Sequence, residues 1–144
     1  MFTSRAEFRL SLRADNADQR LTPMGVFAGC VMSERQIAFD RKATDLAKAK
    51  ASLDSMMLTP HQIEAAGIRI SQDGSRRSAF QVLAFPDVSR AMIDALCPEF
   101  AVFPDTIKDQ SAKDALYAQY LGRQLQDVAA LQNEEGHQIG RAHV

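Results

Sequence analysis

Ser33-Glu34-Arg35-Gln36-Ile37-Ala38-Phe39-Asp40-Arg41-Lys42-Ala43-Thr44-Asp45-Leu46-Ala47-Lys48-Ala49-Lys50-Ala51-Ser52-Leu53-Asp54-Ser55-Met56-Met57 decides the fold class. Phe39, Ala43, Leu46, Leu53 and Met57 recur at helical intervals and line up as one seam. Ser33 with Gln36 three places on has the form of a capping box. The stretch therefore predicts a long helix over about 33–57. Lys42, Lys48 and Lys50 lie among acids and alanines and read as a solvated face. Met56 and Met57 read as core filler.

Downstream the pattern stays helical. Thr59-Pro60 opens a short helix through Ala66, closed by Gly67. Ile68 to Ser71 reads as extended, and Gln72-Asp73-Gly74 as a turn. Ser75 or Ser78 caps a helix that turns Phe80, Leu83 and Ala84 inward. Pro86 closes it, and Asp87 caps the next helix to about Leu96. Arg76 and Arg77 fall at a helix N-terminus, where cations oppose the helix dipole, which favours an external anion there. His61 and Glu64 are three apart, but with no second pair they read as an exposed polar face rather than metal ligands. After the connectors Cys97-Pro98 and Phe103-Pro104, a second long helix is predicted over about 104–133. Ile107, Leu116, Tyr117, Tyr120, Leu121, Leu125, Val128 and Leu131 form its apolar stripe. Gly122 within it marks a close approach or a bend. Tyr117 and Tyr120 read as core-edge aromatics with hydroxyls in water. The fold class is all-α: an extended multi-helix module with two long helices and several short ones.

Upstream, Ser4-Arg5-Ala6-Glu7-Phe8-Arg9-Leu10 and the residues to Thr22 form the stretch densest in arginines, carboxylates and amides. Arg5, Arg9 and Arg13 are spaced by four, which is one row on a helix. Ser4 and Glu7 fit a capping box, whereas Phe8, Leu10 and Leu12 also fit a strand's alternation. The cap and the arginine row favour the helix. Asp15 to Arg20 reads as a structured turn, and Thr22-Pro23 as the start of a short helix. Spacing alone favours an amphipathic segment held by local arginine–carboxylate pairs. The sharper reading is a row of arginine forks facing phosphate.

Ser4 to Leu10, Leu12-Arg13, Asp15-Asn16-Ala17-Asp18 and Arg20-Leu21-Thr22 closely resemble the signature SRAE(Y/F)RLxLRxDNADxRLT of the MnmG (GidA) family. Phe8 takes the place of the more usual tyrosine and removes one hydroxyl. Tyr117 to Gln124 resembles the family's KYxxYxxRQ segment, with Leu116 where that segment has lysine. Arg76-Arg77 resembles, more loosely, a basic segment in the family's helical region. The resemblance implies a parent flavoprotein that uses FAD and NADH. With the GTPase MnmE and a methylene-tetrahydrofolate carbon, it installs an aminomethyl or carboxymethylaminomethyl group at carbon 5 of the tRNA wobble uridine. It implies a homodimer, a cytoplasmic setting, and a helical region that meets tRNA and partner. On that basis 1–22 is the signature at the end of an absent FAD domain, and 23–138 is the tRNA- and partner-binding region. Met1 is expected to be an internal methionine, and 139–144 a non-native tail. Arg5, Arg9, Arg13 and Arg20 are the candidates for tRNA or active-site contact. Glu7, Asp15 and Asp18 are expected to orient them, and Asn16 to fix the loop.

Composition narrows the remaining classes. The 144 residues carry a formal net charge of −1, so there is no global basic field to attract nucleic acid, and contact must come from local patches. Cys30 and Cys97 are isolated and read as reduced thiols. No apolar run is long enough to span a bilayer, and no secretory signal is visible. No GxGxxG, Walker A, GxSxG or clustered His/Cys set is present, so no catalytic, cofactor-binding or metal residue is assigned. The fragment alone is expected to be inactive. The alternative function is a stand-alone helical interaction module without catalytic activity.

Overall fold

The computed structural model describes the backbone of residues 12–141 and the side chains of 12–131. A 3-10 turn over Ala14–Asn16 runs into α1 (Ala17–Phe27). Thr22-Pro23 is therefore not a helix start, and Asp15 to Arg20 is not a turn. Hydrogen bonds from Arg20 back to Asn16 and to the Arg13 carbonyl wind the chain up before the proline is reached. The proline's missing N–H and ring clash cost about 3 kcal/mol in a helix interior, and these anchors offset it.

Helix α2 (Ser33–Ser55) follows as expected, but Ser33 is its first helical residue rather than its cap. The Gln36 N–H already donates to the Met32 carbonyl at 3.0 Å, which leaves the Ser33 hydroxyl no capping position. The seam on α2 ends at Leu53. Met57 has left the helix for β1 (Met57–Leu58) and is half exposed, while Met56 packs on the core.

Helix α3 (Pro60–Ala65) carries the predicted cap. The Thr59 hydroxyl accepts from the Gln62 N–H, and the Gln62 side chain returns to the Thr59 N–H. Gly67, at φ +87°, ends it. The Ile68 N–H then donates back to the Ile63 carbonyl, and both isoleucines are buried. That left-handed helix ending, not a strand, is why Ile68 turns inward. The strand partner of β1 is β2 (Arg77–Ser78), antiparallel, with Met57 opposite Ser78 and Leu58 opposite Arg77.

Ser78, rather than Ser75, caps α4 (Ala79–Leu83), in a reciprocal box with Gln81. Arg76 and Arg77 thus precede the helix, in and beside a strand. The cap of α5 (Arg90–Leu96) is Ser89, not Asp87. After Pro86 a turn closes from the Val88 N–H to the Phe85 carbonyl, and this delays the helix. A short α6 (Pro98–Ala101) leads to α7 (Asp105–Arg141), which runs past the predicted end near 133. The module is all-α apart from the two-residue strands.

Helix α2 is the hub. It packs against α1, α4, α6 and α7, and α4 is wedged between α2 and α7. The core joins Ala49 and Leu53 of α2, Val82 and Leu83 of α4, Ile93 of α5, Phe100 of α6, and Ile107 and Ala115 of α7. The apolar stripe of α7 is core only in its first part. Leu125, Val128 and Leu131 are exposed. Composition alone did not reveal Lys108, whose side chain is only 8% exposed. Its ammonium donates to Asp94 on α5 at 2.9 Å and lies 5.9 Å from the Phe100 ring centroid.

Two outcomes test these packing assignments. Lys108→Met is expected to cost about 1–3 kcal/mol in urea unfolding, because Asp94 is left half-buried without its cation. Adding Asp94→Leu is expected to recover most of that loss. Gly122 has nothing within 4 Å of the position a Cβ would take, so neither a close approach nor a crowded bend requires glycine there. Gly122→Ala is expected to stabilise the domain by about 0.5–1 kcal/mol, read as a raised Tm.

Candidate functional site

The end of the arginine-rich segment is clamped onto the helices by one side chain. Arg13 reaches the Asp15 carboxylate through Nε at 3.1 Å and Nη2 at 3.0 Å. The same Nη2 donates to Asp114 of α7 at 3.1 Å. Its guanidinium lies 4.0 Å from the Tyr117 ring centroid, stacked as arginine stacks on aromatic faces. Gln110 bridges the two acids, donating from Nε2 to Asp15 and to Asp114 at 3.1 Å each. Gln110, Asp114 and Tyr117 stand at intervals of four and three, so α7 presents all three on one face.

The loop behind Arg13 is bonded to itself. The Arg13 N–H donates to Asn16 Oδ1 at 3.3 Å, and Arg20 Nε donates to the same oxygen at 2.8 Å. Arg20 Nη2 donates to the Arg13 carbonyl at 3.0 Å. Asp18 turns to Lys42 of α2 rather than to an arginine. The segment is thereby tied to α7 through Arg13 and Asp15, and to α2 through Asp18.

Arg13 has a side chain only 10% exposed. Its forked hydrogen bonds hold the Asp15 carboxyl down to about 2, against the opposing effect of burial and with help from Gln110. The same hydrogen bond to Asp15 raises Arg13, again against burial.

Of the residues read from the sequence, Arg13, Asp15, Asn16 and Arg20 come together. Arg5, Glu7 and Arg9 lie outside the described residues. The sequence reading missed Asp114 and Gln110, gave Tyr117 to the core edge, and left Lys42 to solvent. The available signal was the polar pair Gln110 and Asp114, two turns and one turn before Tyr117 of the apolar stripe on α7. Among the described residues no three His, Cys, Asp or Glu side chains gather as metal ligands. No described helix is long and apolar enough to cross a membrane.

The depressed Asp15 carboxyl fixes a pH dependence. A carboxyl lower in the folded than in the unfolded chain stabilises the fold above its unfolded value, near 3.8, and loses that contribution as pH falls toward about 2. Allowing for its partial exposure, the contribution is about 1–2 kcal/mol. Asp15→Asn is expected to be less stable than the parent by that amount at neutral pH. The gap should close as urea midpoints are followed down to about pH 2. A gap that persists in acid would mean that the carboxylate charge is not what stabilises the clamp.

Residues 33–125 match the model of the tRNA modifying enzyme MnmG/GidA C-terminal helical domain. The chain is 38% identical over 138 residues to the tRNA uridine 5-carboxymethylaminomethyl modification enzyme MnmG of Granulibacter bethesdensis, covering 94% of this chain and 22% of that protein. The enzyme of the same name from Syntrophotalea carbinolica is 35% identical, with 94% and 22% covered, and that of Bacillus subtilis 31% identical, with 96% and 23% covered. The chain thus spans about a fifth of the length of the curated relatives it matches. The matched helical-domain model takes in α2 through most of the clamp-bearing α7, and on that evidence the chain belongs to the MnmG/GidA family.

Proposed function

We propose that this chain is the tRNA- and partner-docking part of a tRNA-modifying enzyme that adds a carboxymethylaminomethyl group to carbon 5 of the wobble uridine. The parent works with FAD, NADH and the GTPase MnmE, as a homodimer in the cytoplasm. The chain supplies position rather than redox chemistry. The observation that carries this reading is the clamp: the end of an arginine-rich segment is seated on a family-matched helical domain through Arg13, Asp15, Asp114 and Tyr117.

FAD and NADH belong to the rest of the parent. Dinucleotides are held by a strand, a glycine-rich turn and a helix in sequence. The strands among the described residues are two residues long and pair only with each other, which does not fit such a cradle.

Within the segment the arginines divide their work. Arg13 and Arg20 hold the loop against α7, with Asp15 and Asn16 as their partners. Arg13 itself is extended rather than helical, and Arg5 and Arg9, eight and four residues before it, are the side chains that meet tRNA phosphate. Guanidinium–phosphate contacts position RNA without reading its sequence.

The test is binding of a tRNA transcript bearing an unmodified wobble uridine, followed by fluorescence anisotropy over a range of salt. Arg9→Ala is expected to weaken binding several-fold and to lower the slope of log K against log salt by about 1. Arg13→Ala should instead lower the Tm. An Arg9→Ala variant with unchanged affinity and slope would return the arginine row to a structural role.

A further inference from the structure

A cleft runs between α2 and α7, and the clamp does not use its open space. Its inner chamber, about 510 Å³, is lined by Gln19, Phe39, Lys50, Phe80, Ser111 and Asp114. Its outer chamber, about 630 Å³, is lined by Arg76, Arg77, Gln81, Phe85 and Gln119. Phe80 and Ala118 line both chambers, so the two adjoin there. The gap exists because the facing helices present small residues, Ala43 and Ala47 from α2 and Ala118 from α7.

Polar groups inside it are left without partners. The Gln19 side-chain nitrogen is buried and donates to nothing among the described residues. Ser111 is only 3% exposed, and its hydroxyl makes no hydrogen bond among the described residues. Buried donors are normally satisfied, so the unpaired Gln19 nitrogen lining this cavity calls for a ligand with acceptor atoms. At the outer end the charges differ in availability. Arg77 is held by Asp73, and Lys50 by Asp54 while it also covers Phe80 at 4.8 Å. Arg76 is exposed and makes no ion pair or hydrogen bond among the described residues.

We propose that this cleft holds one unpaired nucleotide of an RNA strand, with its base in the inner chamber against Phe39 and Phe80 and its phosphate on Arg76. The proposal rests on the RNA-docking reading and adds to it a site separate from the arginine row. An aromatic wall with an amide, a hydroxyl and a carboxylate at its floor suits a base, which offers a π-face and an edge of donors and acceptors. A cation at the mouth suits the phosphate that must follow. Each chamber falls in the size range of ordinary ligand sites.

The test uses the full 144-residue chain and a single-stranded RNA of about five nucleotides carrying 2-aminopurine, whose fluorescence is quenched on stacking. Binding with quenching is expected. Arg76→Glu and Ala118→Phe, the first removing the cation and the second adding bulk where the chambers adjoin, should each weaken binding about tenfold. Both positions are exposed, and circular dichroism melts check that the variants fold. Arg123→Glu makes the same charge change on an exposed part of α7 outside the cleft and should change binding less than about threefold. Equal losses for Arg76→Glu and Arg123→Glu, or an Ala118→Phe variant that binds and quenches like the parent, would overturn the proposal. Equal affinity for a free nucleoside monophosphate and the strand would overturn the assignment to RNA. Failure is separable from failure of the docking reading. tRNA affinity that depends on Arg9 but not on Arg76 or Ala118 would remove only the cleft.

Discussion

The contact between α2 and α7 is the constraint on which the rest of the molecule depends. These helices are far apart in sequence, so their packing closes the module around α4, α5 and α6. Buried alanines at Ala49 and Ala115 remove bulk from the two facing surfaces, while Leu53 and Ile107 fill the core beside them. Burying leucine-sized side chains is worth about 1.5–3 kcal/mol each, so the short helices, which would be marginal alone, are stabilised by this shared core rather than by their own propensity. The same economy of bulk has a consequence farther along. Where small residues are not backed by large ones, at Ala43, Ala47 and Ala118, the helices enclose open space instead of core.

The clamp at Arg13 depends on that packing too. Asp114 and Tyr117 ride on α7, Lys42 rides on α2, and the loop from Arg13 to Arg20 reaches both helices only because they lie side by side. A nearly buried guanidinium is stabilising only when its charge is met, and here two carboxylates and an aromatic face meet it. The Asp94–Lys108 pair repeats the pattern on the far side of the module, where α5 is tied to α7 by a buried cation. Electrostatics here lock elements whose relative position has been set by apolar contact.

Much of the helical architecture was legible in the sequence, because period and caps are local signals. The seam from Phe39 to Leu53 and the Thr59 and Ser78 boxes identify α2, α3 and α4 directly. The failures were of two kinds. Thr22-Pro23 and Ser33 carry the letters of helix starts, yet local side-chain bonds by Arg20 and a backbone bond to Met32 moved the real starts upstream. Asp114, Gln110 and Lys108 were missed because their partners lie many residues away, and no window along the chain holds both halves. The site divided in the same way. The loop residues Asp15, Asn16 and Arg20 follow from their sequence neighbourhood. That Arg13 turns inward, to Tyr117, follows only from the fold.

That inward turn bears on how a nearly neutral chain would meet the polyanion proposed for it. Several of its cations are already matched: Arg13 to Asp15 and Asp114, Lys42 to Asp18, Arg77 to Asp73, Arg90 to Asp109 and Lys108 to Asp94. A matched cation adds little long-range field and releases little when a phosphate approaches. The charge left over on the described surface sits on scattered side chains such as Arg35, Arg41, Arg76 and Arg123. No one of these exerts a long-range field of its own, so the RNA affinity proposed above would rest on contacts made at short range. Short-range contact demands shape, and the rigid α2–α7 framework supplies it. The framework that needs its arginines for cohesion is thus also what lets the few uncommitted ones act from fixed positions.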